Sequence, residues 1–287
     1  MNLSTAVTLP GGLWQDGVCH RQAGLRPLTG EDEAFLLESG DLMSAAERTT
    51  ALLARCLTRL GNLGLAEPQS LARSLTVGDR EALLLHLRRL TVGERLQCLL
   101  QCPDLDCGEK MDLELRVTDL VLPPYAEPRP EHEATVGENG ATHRVRFRLP
   151  TGADQEVVAP IASANPAAAA DLLLRRCVLQ MEPDEGDELP ESVKEALPPL
   201  LAELDPQAEL LLNMHCPACR QPFTALFDTA AYFFQEISNR AAHLYRQVHL
   251  LAFYYHWSEV EIMGMTAVKR QRYLDLLAEA LGEGESW

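Results

Sequence analysis

Cys102-Pro103-Asp104-Leu105-Asp106-Cys107 and, far along the chain, Cys216-Pro217-Ala218-Cys219 decide the reading of this sequence. In a C-x-x-C pair the turn after the first ligand aims backbone amides at the thiolates, so both sulfurs can face one ion. Cys216 and Cys219 are half of a tetrahedral site, and the wider C-x4-C pair Cys102 and Cys107 supplies the other half. Four thiolates about 2.3 Å from zinc complete the closed geometry of a structural site, so one structural Zn2+ per chain is expected. Such an ion ties the helical first third to the C-terminal third and contributes to folding itself. Cys98, one helical turn before Cys102 on this reading, and His215 beside Cys216 stand as reserve ligands. Cys56 and Cys177 lie on apolar helix faces and read as core, since cysteine is among the most buried residue types.

Outward from the cysteines the chain repeats itself. Glu94-Arg95-Leu96 leads to Cys102 and then to Met111-Asp112-Leu113, while Glu209-Leu210-Leu211 leads to Cys216 and then to Phe223-Thr224-Ala225-Leu226. Both blocks read as a short helix, a cysteine pair beginning Cys-Pro, and a strand, which suggests matching half-sites. The segment 1–27 is Gly-rich without clear period and reads as irregular. Thr29 caps a helix starting near Glu31, Ser44 to Leu60 carries helical spacing closed by Gly61 and Gly64, and a further helix follows Val77-Gly78-Asp79. Region 28–124 is therefore helical, ending in the first knuckle and the alternating strand Met111 to Val117. Region 125–160 is a Pro- and Glu-rich linker and a hairpin turning at Glu138-Asn139-Gly140. Region 161–228 holds a helix from Asn165-Pro166 to Cys177, the acidic run Asp184 to Glu191 as a solvated loop, helix-forming sequence near Leu200 and from Gln207 to Asn213, and the second knuckle. Region 229–287 is helical, with a fraying end. The expected class is α+β, mostly α-helical, with a small β-hairpin region and a four-cysteine zinc knuckle or ribbon, the paired knuckles making one composite unit.

Across 287 residues, 46% hydrophobic and 23% charged is the composition of a folded globular protein. Twenty-five Lys and Arg against 42 Asp and Glu leave a net charge of -17, which opposes phosphate backbones and anionic lipid, so neither nucleic acid nor membrane is expected as a partner. The N-terminus lacks a basic then apolar leader, and no apolar run approaches the roughly 18 residues of a membrane helix, so a cytoplasmic location is expected. No H-E-x-x-H, G-x-S-x-G, phosphate-cradling or dinucleotide-binding glycine pattern occurs, and the chain is read as a non-enzyme. His249 and His256 have no third ligand nearby. The aromatic stretch around Tyr245, Phe253, Tyr254, Tyr255 and Trp257 reads as helix packing first and as a protein-binding surface second. Two other classes share the cysteines. A zinc-ribbon adaptor in transcription would surround the knuckle with basic residues, of which Arg220 alone is present. A thiol oxidoreductase would set its C-x-x-C between a buried strand and a helix, whereas here a helix precedes and Gln221-Pro222-Phe223 follows.

Five segments in this order carry a resemblance: Leu28-Thr29-Gly30-Glu31-Asp32-Glu33, Leu75-Thr76-Val77-Gly78-Asp79-Arg80-Glu81, Cys102-Pro103 to Cys107, Arg148-Leu149-Pro150-Thr151-Gly152-Ala153-Asp154 and Tyr255-His256-Trp257-Ser258-Glu259. The chain resembles, from Leu28 to about Leu277, the baseplate proteins of T-even-type contractile phage tails and their relatives in phage-like contractile injection systems, including baseplate hub assembly chaperones. The resemblance implies a non-enzymatic part in building the baseplate, with hub or wedge subunits as partners and a place in a tail-like particle. The C-x4-C spacing departs from the C-x-x-C more usual in such proteins.

Overall fold

The computed structural model describes residues 4–39, 42–138, 141–183, 186 and 188–282. Strands β1 (Thr5–Gln15) and β2 (Val18–Leu25) form an antiparallel hairpin. Its two turn residues, Asp16 and Gly17, have φ of 52° and 75°, the left-handed pair that a tight hairpin turn requires. Helices α1 (Gly30–Ser39) and α2 (Ala45–Cys56) follow, and β3 (Leu57–Leu60) returns to pair with β2. Next come α3 (Pro68–Ser74) and α4 (Val77–Thr91), then a two-stranded ribbon of β4 (Arg95–Gln101) and β5 (Lys110–Arg116), and the single turn α5 (Val117–Leu120).

The same order then recurs. Strands β6 (His132–Glu138) and β7 (Ala141–Phe147) form a hairpin, α6 (Gly152–Ala162) and α7 (Pro166–Cys177) follow, and β8 (Val178–Glu182) returns to pair with β7. Helix α8 (Glu191–Leu204) and a 3-10 turn lead into a second ribbon, β9 (Leu211–His215) and β10 (Pro222–Leu226). Four helices close the chain: α9 (Thr229–Ala241), α10 (Leu244–Tyr255), α11 (Glu259–Met263) and α12 (Ala267–Leu281).

One buried carboxylate organises each copy. Asp32, at the start of α1, accepts from both the backbone and the hydroxyl of Thr29, takes Arg26 bidentately at 2.6 and 3.2 Å, and takes Arg55 from the end of α2 at 2.8 Å. Asp154 does the same at the start of α6, with Thr151, with Arg148 at 2.6 and 3.0 Å, and with Arg176 from the end of α7 at 2.8 Å. The residue after each second arginine, Cys56 or Cys177, accepts the backbone N–H of the first, Arg26 or Arg148. Two helices and a sheet are thus tied at one carboxylate that water does not reach.

Core packing follows the two copies. Leu9, Leu25, Leu52, Leu53, Leu84 and Leu87 fill the first, where Phe233 of α9 joins them, and Val145, Phe147, Val193 and Leu197 fill the second. A third cluster, with Leu244, Leu251, Ile262 and Leu274, holds the C-terminal helices together. A fourth joins the bases of the two ribbons: Leu96 and Val117 from one side, Leu210 and Phe227 from the other, over Leu85 of α4.

The α+β class stands, with more strand than the sequence suggested. Segment 1–27, expected to be irregular, carries the β1–β2 hairpin; a register shift between Thr8 and Leu13 around Gly11-Gly12 erases its alternation. The segments before both cysteine pairs, expected as helices, are the strands β4 and β9, so Cys98 sits on a strand. The helix expected to run to Leu60 ends at Cys56. Parts of three expectations, the turn at Asn139-Gly140, the acidic residues Asp184, Glu185 and Asp187, and the tail from 283, fall outside the described residues. Tyr255 stacks on Trp257 within the C-terminal core, whereas Tyr245, Phe253 and Tyr254 are exposed. His256 ends α10 with φ 56°.

Buried carboxylates set the acid response. Burial alone would raise Asp154, but Arg148 and Thr151 outweigh it and hold its pKa at about 2. Its stabilisation is therefore complete above the unfolded value near 4 and lost as pH falls through about 2. Burial raises Asp79 to about 6 and Glu81 to about 7, so their cost to folding shrinks as pH falls from about 7 toward 4. Burial also holds His86 down at about 4, which opposes that gain below about 6.5, so denaturant unfolding across pH should show stability rising from pH 8 to about 6.5 and falling below about 4. Asp154→Asn should lose about 3 kcal/mol at pH 7, the low end for breaking a buried pair because both arginines are partly exposed.

Candidate metal centre

Each ribbon carries its cysteines at the far end from its base. In the first, β4 and β5 pair through Leu100 with Met111 and Gln101 with Lys110, and the Cys102 N–H closes the loop on the Glu109 carbonyl at 2.8 Å. In the second, His215 pairs with Pro222, and the Cys216 N–H closes on the Gln221 carbonyl at 3.0 Å. The turns are the same turn offset by two residues. Gly108 donates to the Asp104 carbonyl and Arg220 to the Cys216 carbonyl, both at 2.9 Å, so Asp104 occupies the backbone place of Cys216. The two extra residues of the C-x4-C spacing lie between Cys102, the residue after β4, and the turn that begins at Asp104.

The structure brings all four expected ligand sulfurs together. The Sγ atoms of Cys102, Cys107, Cys216 and Cys219 lie within 4.8 Å of one another, with Cys102 3.7 Å from Cys219 and Cys107 3.7 Å from Cys216. Four sulfurs about 2.3 Å from a central zinc are about 3.8 Å apart along each tetrahedral edge, so these contacts have the size of a zinc site. Cys102 and Cys216 are buried, Cys107 and Cys219 half-buried, and Leu100, Met111 and Phe223 pack around them. Among the described residues this is the one group of His, Cys, Asp and Glu side chains gathered closely enough to share an ion.

The electrostatics suit a cation. The N–H groups of Cys219 and Ala218 act on the Cys216 sulfur and, against its burial, pull its pKa down to about 7. At Cys102 the Asp104 N–H works the same way, but desolvation and the adjoining thiols outweigh it and push the value up to about 12. Backbone amides that favour a thiolate at Cys216 favour a cation there as well.

Neither reserve ligand belongs to the group. Cys98 faces Leu113 across the ribbon and packs at its base, and His215 is exposed. Cys56 and Cys177 are fully buried, with pKa values pushed up to about 12 mainly by desolvation, as core thiols. The C-x-x-C lies between two antiparallel strands, unlike the strand-to-helix setting of a thioredoxin-like dithiol. The knuckle turns carry Asp104, Asp106 and Glu109 beside Arg220, a poor surface for a phosphate backbone.

Gly108 and Arg220 occupy equivalent left-handed positions, with φ of 57° and 64°. A side chain there costs about 1–2 kcal/mol that glycine avoids. Arg220→Gly should leave thermal stability equal or slightly higher, by about 0.5 kcal/mol once the added unfolded-state freedom is subtracted. Gly108→Val should lower it by about 1–2 kcal/mol, and parallel thermal melts distinguish the two signs.

Among the described residues no helix is long and apolar enough to cross a membrane. No curated protein and no solved structure matches the chain. A family model described as T4 bacteriophage base plate protein matches residues 17–235, a span that includes the second copy of the repeated unit, the first copy from β2 onward and both cysteine pairs, and leaves β1 and α10 to α12 outside it. On that match the chain belongs to the T4 bacteriophage base plate protein family.

Proposed function

We propose that this chain is a non-enzymatic base plate component or assembly chaperone, of a contractile phage tail or a phage-like injection system, that binds hub or wedge subunits and is held in shape by one structural zinc. Cys102, Cys107, Cys216 and Cys219 supply four thiolates and leave no open coordination position for a substrate, which is the arrangement of a structural rather than a catalytic zinc. The observation that carries this reading is the convergence of four sulfurs from two distant ribbons in a member of the base plate family. Exposed leucines favour a protein partner: Leu99, Leu105, Leu211 and Leu226 all stand out from the ribbons and their turns. The acidic surface would speed encounter with basic subunits.

Protein purified under reducing conditions without added metal should carry close to one zinc per chain, and its absence would defeat the site. Cys216→Ser should lose the metal and several kcal/mol of stability. Cys177→Ser should keep the metal and lose about 1–2 kcal/mol, as a core substitution does. Affinity purification from cells expressing the surrounding gene cluster should recover hub or wedge subunits in stoichiometric amount. Recovery of no tail subunit would contradict the assembly role.

A further inference from the structure

The C-terminal helices repeat a piece of the first copy. Helices α2, α3 and α4 have 12, 7 and 15 residues, and α10, α11 and α12 have 12, 5 and 15. Thr76 caps α4 by accepting from the Asp79 N–H, and Thr266 caps α12 by accepting from the Lys269 N–H, both at 3.3 Å. Four residues after each cap stands a buried arginine, Arg80 or Arg270. Arg80 presses on Gly152 and Arg270 on Gly30, where a Cβ would collide with the guanidinium. The residue before each cap, Leu75 or Met265, accepts the N–H of that same glycine, at 3.1 and 3.0 Å. The module α10–α12 therefore seats the start of α1 as α2–α4 seats the start of α6.

The two modules differ in what covers them. On α4 the Gly78 N–H meets the carboxylate of Asp205 at 2.9 Å, Asp79 takes the N–H groups of Gly11 and Gly12, and Leu85 lies under Leu210 and Phe227. The matching positions on α12 are open. Val268, in the place of Gly78, is 69% exposed, Leu276, in the place of the buried His86, is 50% exposed, and Lys269 and Arg272 stand in water where Asp79 and Ala82 are buried. Beside them a cleft of about 800 Å³ opens between α12 and the α9–α10 pair. Its lining includes Arg240, His243 and Arg246, over apolar Leu250 and Leu274. Of the two carboxylates there, Glu33 is engaged by Arg270 and Asp275 accepts from Gln271. Asp275 keeps its charge, and Arg240 and Arg272 outnumber it around an apolar floor in a chain of net charge -17.

We propose that this cleft and the open face of α12 dock an acidic amphipathic segment of another base plate protein. The segment covers α12 as the stretch from Asp205 to Phe227 covers α4, with its carboxylates on Arg240 and Arg272 and its apolar side chains on Val268 and Leu276. The inference rests on the reading of the chain as a binder of other base plate proteins.

The test titrates the full-length, metal-loaded chain into a fluorescein-labelled peptide of about 20 residues with glutamate and leucine on opposite helical faces, read by anisotropy at two salt concentrations. A control peptide carries lysine for each glutamate. The acidic peptide should saturate and weaken with salt, and the lysine peptide should not bind. The double variant Arg240→Glu/Arg272→Glu, with melting temperature and zinc content equal to wild type, should bind the acidic peptide at least tenfold more weakly. Equal binding of both peptides, equal binding by wild type and variant, or no binding would overturn the proposal. A dimer in sedimentation that the double variant abolishes would also overturn it, because a second copy would then occupy the face. Any of these outcomes alongside recovery of hub or wedge subunits would remove the docking face and leave the assembly role standing.

Discussion

Four thiols from two ribbons meet at one point, where the two copies of the repeated unit approach each other at their outer ends. Exchanging Cys102 with Cys216 and Cys107 with Cys219 turns one of the 3.7 Å contacts into the other, so the ribbons meet as pseudo-equivalent halves. A two-stranded ribbon is marginal by itself. Here each meets the other twice, at the four thiols at the outer end and in the apolar cluster of Leu96, Val117, Leu210 and Phe227 at its base. Loss of the outer junction would leave two units joined through their bases and through α2, α3 and α6.

Within each unit the corresponding fastening is electrostatic. Asp32 and Asp154 take two arginines and a threonine each, from both ends of a helix pair, so their charges are compensated on every side that faces protein. That satisfies the condition under which a buried carboxylate stays ionised. The outcome is a frame of two units whose ribbons expose leucines to solvent, with a third helical module packed on α1.

Much of this was legible in the residues. The cysteine spacing picked out the four sulfurs that converge, capping and helical spacing found α2, α4 and α7, and the order of short motifs pointed to the family. The ribbons were missed for a physical reason. Leu96, Cys98 and Leu100 face inward on β4 and Leu99 faces water; on β9 the inward pair is Leu212 and Met214 and Leu211 is exposed. Leucine on both faces removes the alternation by which a strand is recognised. The first hairpin was obscured by its Gly11-Gly12 bulge, although Asp16-Gly17 carried the turn signal. The repeat was visible only at the cysteines, yet its other marks stand in the chain: Arg-x-x-Thr-Gly-x-Asp at Arg26 and at Arg148, and Arg-Cys at Arg55 and at Arg176. They are few because a buried ion cluster constrains its own residues and leaves the intervening helix surfaces free to diverge.

Zinc K-edge X-ray absorption on the purified chain tests the central junction most directly. Four sulfur scatterers at about 2.3 Å, with no lighter atom in the first shell, is the result expected of one ion held between the two ribbons. A shell containing nitrogen or oxygen, or fewer than four sulfurs, would mean that the ribbons are not joined through Cys102, Cys107, Cys216 and Cys219, and would contradict the account.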